Sequence, residues 1–197
     1  MNLRHFGLVL VLLVVMAGLA FYRHSDVLLR LLAAWPAASG AATTDAASPG
    51  VPDPRLTPGA INPAVTQANI YQTICVRGWT RTVRPPEEYT ERLKREQIAA
   101  YGHADQRLRD YEEDHLIPLE LGGSPTDPRN LWPEPHVVPG GWGSFVKDRL
   151  ENALNIMVCE RRITLATARH AIAENWITAY RQVFPGEPPR PARWGGR

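Results

Sequence analysis

Phe6 to Tyr22 (FGLVLVLLVVMAGLAFY) runs for 17 residues without a charge, and this segment limits what the rest of the chain can be. Such a stretch has to leave water. Its length sits at the short end of a membrane span and slightly beyond the core of a signal peptide. Gly18-Leu19-Ala20 offers a small-x-small cleavage site, but Asp26 to Trp35 (DVLLRLLAAW) continues apolar at helical spacing. Residues 1–35 therefore read as a cleaved signal peptide or as an uncleaved anchor that makes the membrane a partner. Either reading places the remainder outside the cytoplasm: periplasmic, secreted, or anchored facing outward. Residues 36–56 (PAASGAATTDAASPGVPDPRL) have the composition of a flexible tether. Residues 185–197 (PGEPPRPARWGGR) read as a disordered tail. Residues 57–184 remain, enough for one domain with one core.

A formal net charge of +2 is only mildly basic, so charge alone neither demands nor excludes a nucleic-acid partner. The basic residues are nearly all arginine, with Lys94 and Lys147 the only lysines. That bias reads mainly as composition. The two cysteines, Cys75 and Cys159, form an even count in an exported chain. They suggest one disulfide, with two buried thiols as the plainer alternative.

Within the domain, Thr73 to Val83 (TICVRGWTRTV) is rich in β-branched and aromatic residues and predicts a strand or hairpin near Gly78. Arg77, Arg81 and Arg84 would lie along it, as a phosphate-facing row or a solvated side. Pro86 to Tyr101 predicts a helix with Tyr89, Leu93, Gln97 and Ala100 near one face. Asp110 to Leu121 reads as a short strand running into a Pro-interrupted segment. Gly122-Gly123-Ser124-Pro125 and Asp127-Pro128 are turn signals, and Asn130-Leu131-Trp132 a short returning strand. Phe145 to Cys159 predicts an amphipathic helix burying Phe145, Leu150, Leu154, Met157 and Val158. Thr164 to Val183 predicts a second, capped by Thr164 and burying Ala168, Ile172, Trp176 and Tyr180. His103 reads as an exposed turn residue and His170 as structural. Trp79, Trp132 and Trp142 read as core or as base-stacking platforms.

The chemistry concentrates in Glu112 to His136, EEDHLIPLELGGSPTDPRNLWPEPH. Three consecutive carboxylates precede His115. Asp114 and His115 would face opposite ways on a strand unless the backbone bends. A bend would let the carboxylate hold a cation while the imidazole stays free as a base. Gly122-Gly123 permits a reversal, and Asn130 returns the chain toward His115, where its amide can orient a ring or a loop. Taken alone, the pair reads first as a salt-bridged surface element in a solvated acidic run.

The combination Asp114-His115-Leu116-Ile117-Pro118-Leu119, Leu121-Gly122-Gly123-Ser124 and Asn130-Leu131-Trp132 resembles the HNH endonucleases of the His-Me finger, or ββα-metal, superfamily. The flanks Thr73 to Trp79, Arg84-Pro85-Pro86, Trp132 to Pro135, Lys147-Asp148 and Val158-Cys159 look like a bacterial exported subgroup. The resemblance implies an α+β fold with a small ββα-metal core, additional helices, and hydrolysis of phosphodiester bonds in DNA, with RNA as a second substrate. It implies His115 as general base, Asn130 as the residue positioning its loop, and Asp114 as ligand to one divalent ion (Mg, Mn, Ni or Zn). The terminal histidine of the family pattern has no clear counterpart. His136 lies near the right distance on a loop, and Asp148 is a second candidate ligand. Glu134 reads as a ligand or a loop acid, and Glu151 follows on the same helix. Lys147, Arg149 and Arg84 are the candidate nucleic-acid contacts. The departure leaves an alternative: a degenerate HNH fold that binds nucleic acid or a partner without catalysis. A third reading is an envelope module whose acidic motif is a calcium-type stabilising site.

Overall fold

The computed structural model of the chain describes residues 50–190. The hydrophobic segment 1–35, most of the tether and residues 191–197 lie outside the described residues. Strand β1 (Tyr111–His115) pairs antiparallel with β2 (Leu131–Pro135), setting Glu112 opposite Glu134, Asp114 opposite Trp132 and His115 opposite Leu131. Pro133 and Pro135 are tolerated because each strand of a two-stranded sheet has an open edge for a position lacking N–H.

The long connection, residues 116–130, is shaped by its glycines. Gly122 adopts φ 69°, and a Cβ on Gly123 would lie 1.7 Å from the Ile117 carbonyl oxygen. The second position therefore admits no side chain. Single 3-10 turns at Leu119–Leu121 and Pro128–Asn130 complete the loop.

Four α-helices are described: α1 (Trp79–Val83), α2 (Glu87–Ala100), α3 (Ser144–Cys159) and α4 (Leu165–Val183). Helix α2 opens after Pro86 with Glu87 and Glu88 in its first turn, where carboxylates complement the helix dipole. Helix α4 is capped by Thr164, whose side chain accepts from the Thr167 amide. It is interrupted at Asn175 (φ −163°, ψ 97°), whose Oδ1 accepts from the Thr178 amide and caps the remainder. The main core is where α3 meets α4: Leu150, Leu154, Val158, Ala168, Ile172, Trp176 and Tyr180 all have 0% exposure. A disulfide joins Cys75 to Cys159 with a Cα–Cα distance of 5.7 Å, fastening the segment before α1 to the end of α3. Closing a loop of 84 residues restricts the unfolded chain, which in the chain-entropy model stabilises by roughly 4 kcal/mol.

The mixed helix and sheet class agrees with expectation, and several local expectations need correction. Thr73 to Val83 is not a hairpin. Gly78 at φ 81° starts α1, preceded by a 3-10 helix at Gln67–Gln72. β-propensity expresses packing against cross-strand neighbours, and this segment has no strand to pair with among the described residues. Arg77, Arg81 and Arg84 consequently form no strand row. In α2, Lys94 and Ile98 are the buried positions and Ala100 is exposed. Phe145 is 39% exposed and stacks on the His136 ring at 4.8 Å. Residues 50–53, assigned to the tether, are packed, while 54–56 are exposed: the Trp176 indole donates to the Gly50 carbonyl at 2.6 Å. The start of the tail folds back, with Glu187 paired to Arg149 and the Tyr180 hydroxyl donating to the Pro188 carbonyl. Among the described residues no helix is long and apolar enough to cross a membrane.

Candidate active site

β1 places its charged residues between α2 and α3. Asp114 and His115, adjacent in sequence, reach different neighbours. The Asp114 carboxylate accepts from the Lys147 ammonium of α3 at 2.5 Å. Lys147 also contacts Glu151 one turn later and donates to the His115 carbonyl at 2.9 Å. This ammonium is 1% exposed. Burial opposes its charge, but Asp114, Glu151 and Glu134 outweigh that and hold its pKa well above the lysine value. Glu134 has 0% exposure and no hydrogen-bond donor to either oxygen. Burial, then the Asp114 charge, drives its carboxyl well up. Glu151 is pushed the same way by burial, against the pull of Lys147.

His115 is held differently. Its Nε2 lies 3.0 Å from the Pro125 carbonyl oxygen. A carbonyl only accepts, so Nε2 carries the proton. Burial lowers the pKa of the ring, more than the Pro125 bond and the Asp114 charge raise it. Burial therefore favours the neutral ring, and with the proton on Nε2 the lone pair is on Nδ1, the form a general base requires. Asn130, 0% exposed, does not touch the ring. Its Oδ1 accepts from the Ile117 amide at 3.0 Å, and its Nδ2 donates to the Ile117 and Ser124 carbonyls, both at 3.0 Å. These bonds pin the loop that supplies Pro125.

His115 lines a cleft of about 430 Å³ with Arg84, Lys94, Glu112, Glu113 and His136 among its walls. Arg84 is exposed there. Lys94 is ion-paired to Glu91 at 2.5 Å and donates to the Tyr111 carbonyl. The Glu112 carboxyl is pushed up to about 7 by burial and by the Asp114 and Asp148 charges. Glu113, with neither oxygen hydrogen-bonded, is pushed up to about 8 by burial and by Asp114. Asp148 rises to about 6 for the same two reasons. His136, its ring pKa lowered by burial, has Nδ1 2.7 Å from the Ser144 hydroxyl.

The sequence candidates divide accordingly. His115, Arg84 and His136 share the cleft, and Asp148 acts electrostatically on Glu112 beside it. Lys147 is neither a solvated charge nor an open phosphate contact: three carboxylates surround it. Arg149 lies apart from the cleft, its guanidinium 3.8 Å from the Phe184 ring centroid and paired with Glu187. Its spacing on α3, two residues from Lys147, turns it toward α4. His103 is half-buried between Tyr101 and Tyr111 rather than exposed. Trp132 is core, at 1% exposure. Glu113 and Lys94 were not singled out from sequence. The signals available were the alternation of β1, which separates Glu113 from its two acidic neighbours, and the place of Lys94 four residues before Ile98 on α2.

The donors suit a hard divalent ion in kind: Glu112, Asp114 and Asp148 offer carboxylate oxygens, and the raised pKa values of Glu112 and Asp148 register too few cations beside them. Asp114 is shared with Lys147. Among the described residues no three such side chains converge as a ready coordination shell. Comparison with family models, with curated proteins and with solved structures finds no match to this chain.

Proposed function

We propose that residues 50–190 form an exported, metal-dependent endonuclease that hydrolyses phosphodiester bonds, with DNA as the first substrate to test and RNA the second. The observation that carries the reading is His115: a buried, neutral imidazole, its Nε2 proton held by the Pro125 carbonyl, facing a cleft whose carboxylates outnumber their cations. Above their raised pKa values Glu112 and Glu113 repel a phosphate unless a cation comes with it. In the proposed site Glu112, Asp114 and Asp148 hold one divalent ion, which supplies charge stabilisation at the phosphate when bound. Nδ1 of His115 takes a proton from a water molecule. The water oxygen bonds to phosphorus as the bond to the leaving sugar oxygen breaks. Asn130 positions the loop behind His115, and Arg84 at the rim meets a neighbouring phosphate.

The test uses the full chain, oxidised, with supercoiled plasmid and magnesium, manganese, nickel, zinc or EDTA. Nicking should require a metal, and His115→Ala should lower the rate by about 10²-fold or more. Equal nicking by His115→Ala removes this mechanism. The ion pair of Lys147 with Asp114 favours a second reading, nucleic-acid binding without cleavage, because an ammonium already neutralises the carboxylate expected to hold the metal. Retained DNA affinity with no nicking under any metal selects that reading.

A further inference from the structure

A second cavity, about 740 Å³, adjoins the His115 cleft, and Tyr111 and His136 line both. Its volume falls within the usual range of small-molecule sites. The wall is aromatic: Tyr101, His103, Tyr111 and Trp132 all border it. Tyr101 and His103 stack at 5.8 Å with an interplanar angle of 11°, and His103 meets Tyr111 at 4.8 Å. Two hydrogen-bonding atoms of this wall are unused. The Trp132 Nε1–H has no acceptor, and His103 Nε2 has no partner. Buried polar atoms left in this state call for an explanation. The acids at the rim are already matched: Asp105 pairs with Arg107 at 2.9 Å and Asp53 with Arg55 at 2.6 Å. The two unused atoms lie buried behind the rings, so the cavity itself offers ring surface, with no free cation for a phosphate.

We infer that this cavity is a nucleobase site, which takes an unstacked base of the strand whose neighbouring phosphate lies at His115. The inference rests on the nuclease reading for its geometry: the shared walls of Tyr111 and His136 put a base pocket and a phosphate cleft side by side. Every base has a face to stack on an aromatic ring and an edge carrying acceptors or donors. The pocket consequently favours a single-stranded or frayed substrate, because a paired, stacked base must be extruded before it can enter.

The test measures binding of two oligodeoxynucleotides of equal length by the full chain, in EDTA and in calcium, over times at which both strands are recovered intact. One carries bases, and the other has the same sugar-phosphate backbone with every base removed. The base-bearing strand should bind at least about fivefold more tightly, and His103→Leu and Trp132→Phe should each narrow that ratio. Equal affinity of the two strands for wild-type protein, or no measurable binding of either, overturns the base site. This comparison needs no variant to fold. The plasmid assay is read separately: metal- and His115-dependent nicking with no base preference removes only this inference, and a base preference without nicking removes only the nuclease reading.

Discussion

The charged groups on the two sides of β1 have opposite fates. Toward α3, Asp114, Glu134 and Glu151 surround the buried Lys147 ammonium, and each is defined by that one cation. Toward α2 and the cleft, Glu113 keeps two oxygens without a partner and His115 is held at Nε2 by the Pro125 carbonyl. Both sides use acids from the same five-residue strand. The inner group is gathered on one ammonium, Asp114 and Glu151 by direct contact and Glu134 by charge alone, and holds the hairpin against a helix. The outer group is left unsatisfied and is where a ligand would find uncompensated charge. An unsatisfied buried group persists only where the rest of the fold supports its cost, so the contrast locates the site better than the count of charges does.

Removing the inner cation should break the comparison most severely. Lys147→Met leaves Asp114, Glu151 and Glu134 buried without compensation, and one broken buried pair typically costs about 3–5 kcal/mol. Denaturant unfolding of the wild type and the variant measures it. Lys147→Met combined with Asp114→Asn should lose less than the single change, since the pair is coupled. If Lys147→Met unfolds within about 1 kcal/mol of wild type, the inner group is not what fastens β1 to α3.

Asn130 joins the two sides, and its removal should cost less. Asn130→Ala strips the partners from the Ile117 amide and from the Ile117 and Ser124 carbonyls, about 1–3 kcal/mol for each buried group left unpaired. Nicking should fall by more than the loss of folded protein accounts for, because the Pro125 carbonyl that fixes the His115 tautomer shifts with the loop. A rate that simply tracks the folded fraction would reduce Asn130 to a purely structural residue.

Arg84 sharpens the outer side without disturbing the inner one. It is exposed at the cleft, so Arg84→Ala should change stability by less than about 0.5 kcal/mol. Affinity for DNA should drop, and the dependence of log affinity on log salt should flatten by about one phosphate contact. An unchanged salt slope would mean that nucleic acid, if it binds, does not cross this rim.

Much of this architecture could be read before any coordinates. The helical periods of α3 and α4, the Thr164 cap and the Gly122-Gly123 turn carry local physics strong enough to survive folding. So did the pairing of β1 with β2, because turn signals bracket the two short apolar-acidic runs. What failed was where partners decide the outcome. Thr73 to Val83 had strand-like residues but no neighbouring strand, and became a turn, a helix and a disulfide anchor. Lys147 read as an open charge because its neutralising acids come from β1, from β2 and from the next turn of α3, a convergence that spacing along one element cannot show. The aromatic cavity was invisible for the same reason: Tyr101, His103, Tyr111 and Trp132 come from the end of α2, the following turn and both strands.

The smallest effect expected concerns the pH response of that cavity. Burial lowers the His103 pKa, outweighing a hydrogen bond to the Pro133 backbone that raises it. A histidine whose folded pKa lies below its unfolded value binds its proton more weakly when folded. Its contribution to stability is then present above the unfolded pKa and is lost as pH falls through the folded one. The raised carboxyls of Glu112, Glu113 and Asp148 act in the other sense, stabilising the fold as pH falls toward their unfolded values. The total stability curve therefore hides the histidine. The difference between wild type and His103→Leu isolates it, since the carboxyls are common to both. On acidification from pH 7.5 to 5, wild type should lose stability relative to His103→Leu, and the gap should stop changing once pH lies below the folded pKa. A gap that is constant across this range would mean that His103 titrates alike folded and unfolded, and that its ring is reached by water rather than enclosed by Tyr101 and Tyr111.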